Sequence, residues 1–459
     1  MRAGTQAGKR ASPRSYVLAR LRSPMLVALL VALAACQVPD APRPAPPDPP
    51  VRTGAQRLVD DGFAALAGLR VGLVTNPTAR VDTADGGPAH LIDRLAAAPN
   101  VTLAALFAPE HGLRGTAEAG ERVEGGRDTA TGAPVHSLYG QHRRPTPAQL
   151  RGLDALVFDV QDVGARFYTY VSTMGYAMQA AAEAGIPFVV LDRPNPIGDR
   201  VEGWTMEPGH ASFVGRYPIP ITHGMTVGEL AQMIQGEGWL DGLETLDLRV
   251  VEMEGYRRGM AWEETGLPWV PPSPNIPDVA TARVYPGAAL FENSAVNEGR
   301  GTRTPFRVVG APWADGAALA DTLNARGLPG VRFEAVAYTP EAIPGMASNP
   351  THRGRRVEGV RLVVTDPTAF RPVETGVHLL HAFYHQFLPI AYFGAGPLGR
   401  DPRLDVADFF NADWLAKLAG TDRLRRMLVA GARPEAIVAA WAEDVATFRR
   451  RRAPYLLYE

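Results

Sequence analysis

Short apolar runs alternate with longer amphipathic stretches along most of this chain, and this alternation limits the fold more than any other feature of the sequence. Short apolar runs are typical of buried strands, and amphipathic stretches of ten or more residues are typical of helices. Strands that alternate with helices predict an α/β fold, in which helices cover both faces of a mostly parallel sheet. The predicted strands are residues 71–75, 101–107, 155–160 and 188–191.

Between these strands, residues 90–98 and 167–184 have helical length and periodicity. The second predicted helix ends at Gly185, and the Ile-Pro pair that follows is typical of a helix stop. Further along, we expect a strand at 359–364 and a helix at 435–450. The 459 residues exceed what one hydrophobic core usually organises, so we expect a large domain at 55–305 and a smaller one at 306–459.

The N-terminus has the composition of an export signal. Residues 1–24 carry basic but no acidic side chains, and the apolar run at 25–35 is too short to span a bilayer. The sequence LAAC that ends at Cys36 resembles a lipobox, which predicts a signal peptide at 1–35 and a lipidated Cys36. The alternative is a chance cleavage site beside a free thiol. The Pro-rich residues 36–54 then predict an extended tether.

An exported lipoprotein would face the periplasm or the cell surface, anchored in the membrane by its lipid. Gln37 is not the aspartate that retains many lipoproteins in the inner membrane, so we favour the outer membrane. Loss of residues 1–35 removes six basic residues and changes the formal net charge from −1 to −7, which makes nucleic acid an unlikely partner. Cys36 is the only cysteine, which excludes an intrachain disulfide and a cysteine-based metal site.

Polar residues follow each of the four predicted strands, at 76–78, 109–112, 161–166 and 192–196. The carboxyl ends of parallel strands meet at one edge of a sheet, where ligands bind, although loops are polar in any protein. A second polar block extends from Asn275 to Phe306. No Gly-x-Gly-x-x-Gly follows the first strand and no phosphate-binding Gly-Lys-Ser/Thr loop is present, so we expect no nucleotide cofactor.

Six long motifs, in order, resemble those of the NamZ-like bacterial exo-β-N-acetylmuramidases, glycoside hydrolase family 171. They are VTNPT at 74–78, FAPEHG at 107–112, FDVQDVGARFYTY at 158–170, LDRPNP at 191–196, PWVPPSPN at 268–275 and EGRGT at 298–302. The terminal YLLY at 455–458 is also similar. One departure is NSAVN at 293–297, where relatives more often have GTNVS.

The resemblance implies a Rossmann-like N-terminal domain, a smaller α+β C-terminal domain and an active-site cleft between them. It also implies hydrolysis of the β-1,4 bond of a non-reducing-end N-acetylmuramic acid in peptidoglycan fragments such as disaccharides or muropeptides. Two alternatives stay open at this stage: a non-catalytic lipoprotein that binds sugars or muropeptides, and a metal-dependent amidase or esterase.

Glycoside hydrolysis needs an acid for the departing oxygen and a group that stabilises an oxocarbenium-like centre. Glu110 is our candidate acid because it follows a buried strand in a tight Pro-Glu-His-Gly turn. A helix cap is its alternative role. Glu298 is the second candidate, between glycines that permit close approach of a substrate. Its alternatives are an ion pair with Arg300, the rival carboxylates Glu202 and Asp162, or a nucleophilic 2-acetamido group of the substrate itself.

Planar guanidinium groups recognise carboxylates such as that of the lactyl ether of muramic acid, or form structural salt bridges. Tyr168 and Tyr170 are expected either to stack on a sugar or to pack in the core. His111, His223 and Asp162 lack the spacing of a metal site, so we expect no metal and no cofactor. The predicted substrate-binding residues are His111, Asp162, Arg166, Asp192, Arg193, Asn195, Glu202, His223, Asn275 and Arg300.

Overall fold

A computed structural model describes residues 49–83, 86–113, 125–140, 142–393 and 409–459, and for 389–393 it gives the backbone only. The predicted signal peptide, Cys36 and most of the predicted tether lie outside the described residues. Residues 49–459 belong to one compact unit. Within the described ranges, no helix has the length and apolar character that a membrane crossing requires.

The strands of the described residues fall into a large sheet, a small sheet and a hairpin. They are β1 (Arg70–Thr75), β2 (Arg80–Asp82), β3 (Pro88–His90), β4 (Thr102–Ala108), β5 (Gly126–Arg127), β6 (Pro134–Ser137), β7 (Ala155–Asp159), β8 (Phe188–Leu191), β9 (Leu248–Val251), β10 (Val308–Ala311), β11 (Val331–Tyr338) and β12 (Val357–Val364).

The α-helices separate the strands in the first part of the chain and follow one another in the last part. They are α1 (Gly54–Asp60), α2 (Leu91–Ala97), α3 (Pro147–Leu150), α4 (Tyr170–Ala184), α5 (Val227–Gly236), α6 (Val279–Ala288), α7 (Gly316–Asn324), α8 (Pro372–Phe393), α9 (Ala412–Ala419), α10 (Arg423–Val429), α11 (Pro434–Ala439) and α12 (Ala442–Arg452).

The large sheet has seven strands in the order β5-β6-β4-β1-β7-β8-β9. All neighbours pair in parallel except β5, which is antiparallel to β6. Counted along the chain, the parallel strands therefore take the order 3-2-1-4-5-6 of Rossmann-type sheets, with the switch point between β1 and β7. The four predicted strands and the α/β class with a Rossmann-like first part are confirmed.

The central strands of this sheet, such as β7 and β8, are mostly apolar because both of their faces are covered. In β7, Ala155 and Val157 pack in the core beneath α1 and α2, whereas Leu156 and Phe158 pack in the core that contains α4 and α5. Consecutive side chains of a strand point to opposite faces, so each face needs its own apolar set. This explains why the predicted strands have continuous apolar runs without polar alternation.

The last part of the chain contains the small sheet, in which β10 and β11 pair antiparallel with the central strand β12. Helix α7 packs on β11 and β12, and α8 packs on α6 and α7. The predicted strand at 359–364 is confirmed as the end of β12. These elements agree with the smaller mixed region that the sequence predicts after the Rossmann-like part.

Two helices differ from their predictions. The helix predicted at 167–184 ends as expected at Gly185, which is left-handed at φ 66°, but it begins only at Tyr170. The helix predicted at 435–450 is wrong as a single element, because α11 ends at Ala439 and α12 begins at Ala442. Trp441 lies at this break, with φ −102° and ψ 4°, and its ring packs edge-on against Trp204 at 5.1 Å.

The tail of the chain returns to the large sheet. The Tyr458 hydroxyl donates to Asp192 Oδ2 at 2.6 Å, directly after β8, and accepts a hydrogen bond from the Met253 backbone at 2.9 Å. The Leu457 backbone donates to Glu229 Oε1 at 2.8 Å. A segment far along the chain therefore completes the hydrogen bonding of the exit of β8.

Candidate active site

A cavity of about 420 Å³ opens beside the carboxyl end of the large sheet. One wall comes from the first part of the chain and the other from the last part. The first wall includes Glu110, His111, Phe167, Tyr168, Thr169, Ser273 and Asn275, and the second includes Tyr285, Glu292, Asn293, Glu298, Arg300, Phe306, residues 346–351 and Trp414. Five of the predicted site residues thus meet in one place: Glu110, His111, Asn275, Glu298 and Arg300.

Glu110 and His111 lie in the tight turn that follows β4. The Gly112 backbone closes this turn on the Pro109 carbonyl at 3.0 Å, and both His111 and Gly112 are left-handed, with φ of 70° and 76°. This conformation is uncommon for a residue with a side chain, and such residues are concentrated at functional sites. Both Glu110 and His111 are buried where they line the cavity.

The start of α4 orients the Glu110 carboxyl group. Thr169 is the N-cap of this helix, but its side chain makes no capping hydrogen bond. Instead, its hydroxyl donates to Glu110 Oε2 at 2.5 Å. A threonine at this position usually satisfies the free backbone N–H groups of the helix. Residues 167–169, which we predicted to be helical, precede α4 and form part of the cavity wall.

Arg300 joins two carboxylates in the opposite wall. Its Nη1 donates to Glu298 Oε1 at 2.8 Å and its Nη2 donates to Glu292 Oε1 at 2.9 Å. The guanidinium carbon lies 4.9 Å from the ring centroid of Phe306. The ion pair expected as an alternative for Glu298 is therefore present, although all three charged groups line the cavity.

Glu292 is a site residue that the sequence reasoning missed. It lies at the start of the loop that leads to Glu298, in the polar block 275–306, and its proximity to Glu298 in sequence was the available signal. Burial raises the pKa of Glu292 above its ordinary value, while Arg300 acts in the opposite direction. Burial alone would lower the pKa of Arg300, but the attraction of Glu292 and Glu298 outweighs it and raises that pKa.

The glycines beside Glu298 serve the packing of the loop itself. Gly299 is left-handed at φ 86°, and a Cβ there would lie 2.7 Å from the Val308 carbonyl oxygen. Gly301 is left-handed at φ 82°, and its Cβ would lie 2.5 Å from Pro350. A substitution at either position would displace neighbouring chain. The close approach that we expected of a substrate is made instead by the protein's own segments.

Asn275 connects the two walls. Its Nδ2 donates to the Met346 carbonyl at 2.7 Å, whereas its Oδ1 is buried and has no hydrogen-bond partner among the described residues. The loop that contains Met346 continues as residues 347–351 of the cavity wall. An enclosed acceptor without a donor is costly, so this amide is suited to a ligand that brings an N–H or O–H group.

Aromatic side chains form one side of the cavity. Tyr168 contacts Tyr170 at 4.8 Å and Tyr285 at 5.9 Å, both in edge-on geometry, and Tyr285 contacts Phe306 in the same way at 4.9 Å. The Tyr170 hydroxyl donates to the Pro272 carbonyl at 2.6 Å. The packing alternative therefore describes Tyr170, whereas Tyr168 both packs and lines the cavity.

Arg166 lies outside the cavity and is wholly enclosed. It donates to the carbonyl oxygens of Trp204, Ile219 and Leu418, at 3.2, 2.8 and 2.6 Å. Burial lowers its pKa to about 9. Leu418 belongs to α9, so this guanidinium ties the last part of the chain to the first.

Asp162, Asn195 and His223 form a buried polar cluster away from the cavity. Asp162 Oδ2 accepts from the Gly164 backbone at 2.7 Å, and His223 Nε2 lies 3.8 Å from the same oxygen. Asn195 Nδ2 donates to the Met225 carbonyl at 3.0 Å. Burial raises the pKa of Asp162 to about 7 and lowers that of His223 to about 3.

The other predicted residues also have partners within the protein. Asp192 accepts from the Gly228 backbone at 2.8 Å and from Tyr458, and burial raises its pKa to about 6. Glu202 accepts from the Val373 and Glu374 backbones at the start of α8, at 2.9 and 3.1 Å. Burial raises the pKa of Glu202 to about 7.

Arg193 forms a buried ion pair with Asp159 through Nε and Nη2, at 2.5 and 3.0 Å. It lines a second cavity, of about 370 Å³, together with Gln161, Thr78 and Trp262. Within the described ranges, no three His, Cys, Asp or Glu side chains are grouped so that they could hold a metal ion.

Two family models together match almost all of the described chain. The N-terminal model of the exo-β-N-acetylmuramidase NamZ matches residues 71–280, and its C-terminal model matches residues 283–458. Glu110 and Asn275 fall in the first range, and Glu292, Glu298 and Arg300 fall in the second. Each model thus covers one wall of the cavity.

Similar proteins were found among curated sequences and solved structures. The peptidoglycan β-N-acetylmuramidase NamZ of Bacillus subtilis is 41% identical over 446 residues, which cover 97% of this chain and 100% of that protein. A crystal structure of a DUF1343 family protein of Bacteroides fragilis has a TM-score of 0.77 and 37% identity, covering 89% of this chain and 99% of its own. A second such protein of that organism has a TM-score of 0.68 and 32% identity, with the same coverage.

Proposed function

This chain belongs to the exo-β-N-acetylmuramidase family NamZ, and on that basis we propose that its cavity is the active site of a glycoside hydrolase. It hydrolyses the β-1,4 bond of N-acetylmuramic acid at the non-reducing end of peptidoglycan fragments. The observation that carries the assignment of the site is the meeting of Glu110 and Glu298 from two walls of one cavity.

Glu110 is the general acid of this proposal. Its carboxyl group is buried at the cavity wall, and the Thr169 hydroxyl holds its Oε2 at 2.5 Å. A carboxyl group held in this way can deliver its proton to the departing sugar oxygen in one fixed direction. The strained turn at His111 keeps the group at the exit of β4, where the ligands of such sheets bind.

Glu298 is the second carboxylate, and it stabilises the positive charge that develops at the anomeric carbon. One of its oxygens pairs with Arg300, and the other has no partner within the described residues. In a substrate-assisted reaction, the 2-acetamido group attacks and Glu298 orients it. In a direct reaction, Glu298 itself acts as base or nucleophile.

Arg300 is the proposed contact for the lactyl carboxylate of muramic acid. Of the three predicted arginines, Arg166 is engaged with backbone carbonyls and Arg193 with Asp159, whereas Arg300 lines the cavity. A guanidinium group has five N–H donors, and Glu292 and Glu298 each take one. The remaining donors suit an additional planar carboxylate.

The function is tested with the chain lacking residues 1–35 and a β-linked chromogenic glycoside of N-acetylmuramic acid. We expect many turnovers per protein molecule, unchanged by a chelator. Stoichiometric binding without turnover would instead support a capture protein, and loss of activity on chelation would support a metal-dependent enzyme. The same glycoside of N-acetylglucosamine, which lacks the lactyl group, is the matched control and should react far more slowly.

We further propose that the enzyme is a lipoprotein anchored through Cys36 and facing the periplasm or the cell surface, where peptidoglycan fragments are found. The support is the basic and then apolar sequence before the LAAC motif. A Cys36→Ser variant should leave the membrane fraction while keeping its activity, because the polar tether cannot insert by itself. A variant that stays in the membrane pellet through a salt wash would contradict this anchor.

A further inference from the structure

We propose that Glu292 is a positioning residue, which holds Arg300 so that Glu298 keeps one carboxylate oxygen uncommitted. The consequence for catalysis rests on the proposed function, whereas the arrangement of Glu292, Arg300 and Glu298 does not depend on it. Nothing in the sequence motifs singles out Glu292, which lies six positions before Glu298 and contacts the same guanidinium group.

The contacts of Arg300 differ from those of an ordinary arginine-carboxylate pair. Arginine usually binds one carboxylate through two parallel N–H groups. Here each carboxylate receives a single contact, of 2.8 Å for Glu298 and 2.9 Å for Glu292. The Phe306 ring, 4.9 Å from the guanidinium carbon, packs against the same group. Arg300 is thus divided between two acidic residues.

This division leaves Glu298 Oε2 without a partner among the described residues, although that atom is enclosed by protein. A buried carboxylate oxygen without a donor is unfavourable. A two-contact pair with Arg300 would satisfy it. Because Glu292 accepts from Nη2, turning the guanidinium fully toward Glu298 would break that hydrogen bond, and the single-contact geometry is kept.

An uncommitted oxygen is useful at a reacting centre. A carboxylate that is fully paired with an arginine is a weak base and a weak stabiliser of positive charge, since the nearby cation favours its ionised form. With one single-contact partner, Glu298 keeps one oxygen beside the cavity that no cation among the described residues pairs with. Glu292 therefore acts through Arg300 and touches no reacting atom.

The first test compares crystal structures of the wild type and a Glu292→Ala variant. We expect Arg300 in the variant to turn and bind Glu298 through both Nη atoms, so that Oε2 gains a donor. An unchanged single contact between Arg300 and Glu298 would overturn the inference. This measurement needs no turnover, so it decides the geometry even if the wild type proves inactive on the muramic acid glycoside and the proposed function fails.

The second test uses Glu292→Gln, which keeps the size of the side chain and removes its charge. We expect kcat to fall about 10- to 100-fold, as is typical of a misplaced catalytic group, and KM to rise by a smaller factor because Arg300 is also the proposed contact for the lactyl carboxylate. Glu263→Gln is the matched control, because Glu263 pairs with the buried Arg283 away from the cavity. That variant should keep wild-type kcat.

A double-mutant cycle with Arg300→Lys separates positioning from an independent role. Lysine lacks the planar fork that holds two carboxylates in fixed directions. If Glu292 acts through Arg300, adding Glu292→Gln to the Arg300→Lys variant should change kcat by less than about twofold. Multiplicative effects of the two substitutions would overturn the inference.

Discussion

Two sets of buried acidic and basic residues lie near the carboxyl end of the large sheet, and they differ in what they contact. Glu298 in the cavity wall pairs with another side chain, whereas the equally buried Glu202 accepts from two backbone N–H groups of α8. Arg300 and Arg166 differ in the same way. Side-chain partners beside a cavity can be exchanged for a substrate, but backbone partners are fixed by the fold. Partner type therefore separates Glu298 and Arg300 in the cavity wall from Glu202 and Arg166 in the surrounding framework.

The largest effect is expected in the cavity, from Glu110→Gln. The amide keeps the size of the side chain and can still accept from Thr169, but it has no proton to give to the departing oxygen. We expect kcat to fall about 10²- to 10⁴-fold on a substrate with a poor leaving group. A substrate whose leaving group needs no protonation should be much less affected.

Both rates are measured on protein whose melting temperature matches that of the wild type. Near-wild-type rates on both substrates would remove Glu110 from the acid role. The proposed reaction would then need another acid, and the other carboxyl groups that line the cavity are those of Glu292 and Glu298.

Substitution of a buried framework residue outside the cavity should lower the stability of the protein without changing catalysis, and Arg166→Met tests this. The variant leaves the carbonyls of Trp204, Ile219 and Leu418 without their donor, an effect partly offset by removal of a buried charge. We expect the free energy of unfolding to fall by about 2–4 kcal/mol. Denaturant unfolding measures the loss, and KM for the glycoside should be unchanged. A raised KM at unchanged stability would show instead that Arg166 contacts substrate.

The effect expected from Asp162→Asn is a change in how stability depends on pH. The pKa of Asp162 is about 7 in the fold against an ordinary value of 3.8, because burial disfavours its ionised form. The folded protein therefore binds this proton more tightly than the unfolded chain, so the contribution to stability is complete below about pH 4 and is lost as the pH rises to about 7. The asparagine variant has no carboxyl group at this position, so its stability should not decrease in this way as the pH rises.

The measurement is the melting temperature of both proteins from pH 5 to 8. The melting temperature of the wild type should fall more steeply with rising pH than that of the variant, since one pKa unit corresponds to about 1.4 kcal/mol of stability. If the melting temperatures of the two proteins changed with pH in parallel, Asp162 would not titrate in the folded protein over this range, and its contribution to stability would not depend on pH.

The sequence predicted the strands, the α/β class and the polar exits because all three depend on local patterns. It could not predict which of the polar residues that follow the strands line the cavity and which are buried elsewhere in the protein. Asp162 and Glu110 both follow buried strands in polar motifs, yet only Glu110 lines the cavity. Asp162 accepts from the nearby Gly164 backbone and lies against His223, whereas Glu110 accepts from the distant Thr169. Glu292 was missed for the same reason: its role is apparent only once the loop brings it to Arg300. At the break near Trp441, the ring that packs against this tryptophan is that of Trp204, which is likewise far away in sequence.

The hydrogen bond between Tyr458 and Asp192 joins residues 266 positions apart, and this has a consequence for biosynthesis. A ribosome that adds about 5–20 residues per second delivers Asp192 roughly 13–50 s before Tyr458. During that time the exit of β8 lacks the hydrogen bond that Tyr458 donates. A chain cut off before Tyr458 would therefore leave the Asp192 side chain with the hydrogen bonds from the Arg193 and Gly228 backbones and from the Thr226 hydroxyl, and the exit of β8 would be held less firmly.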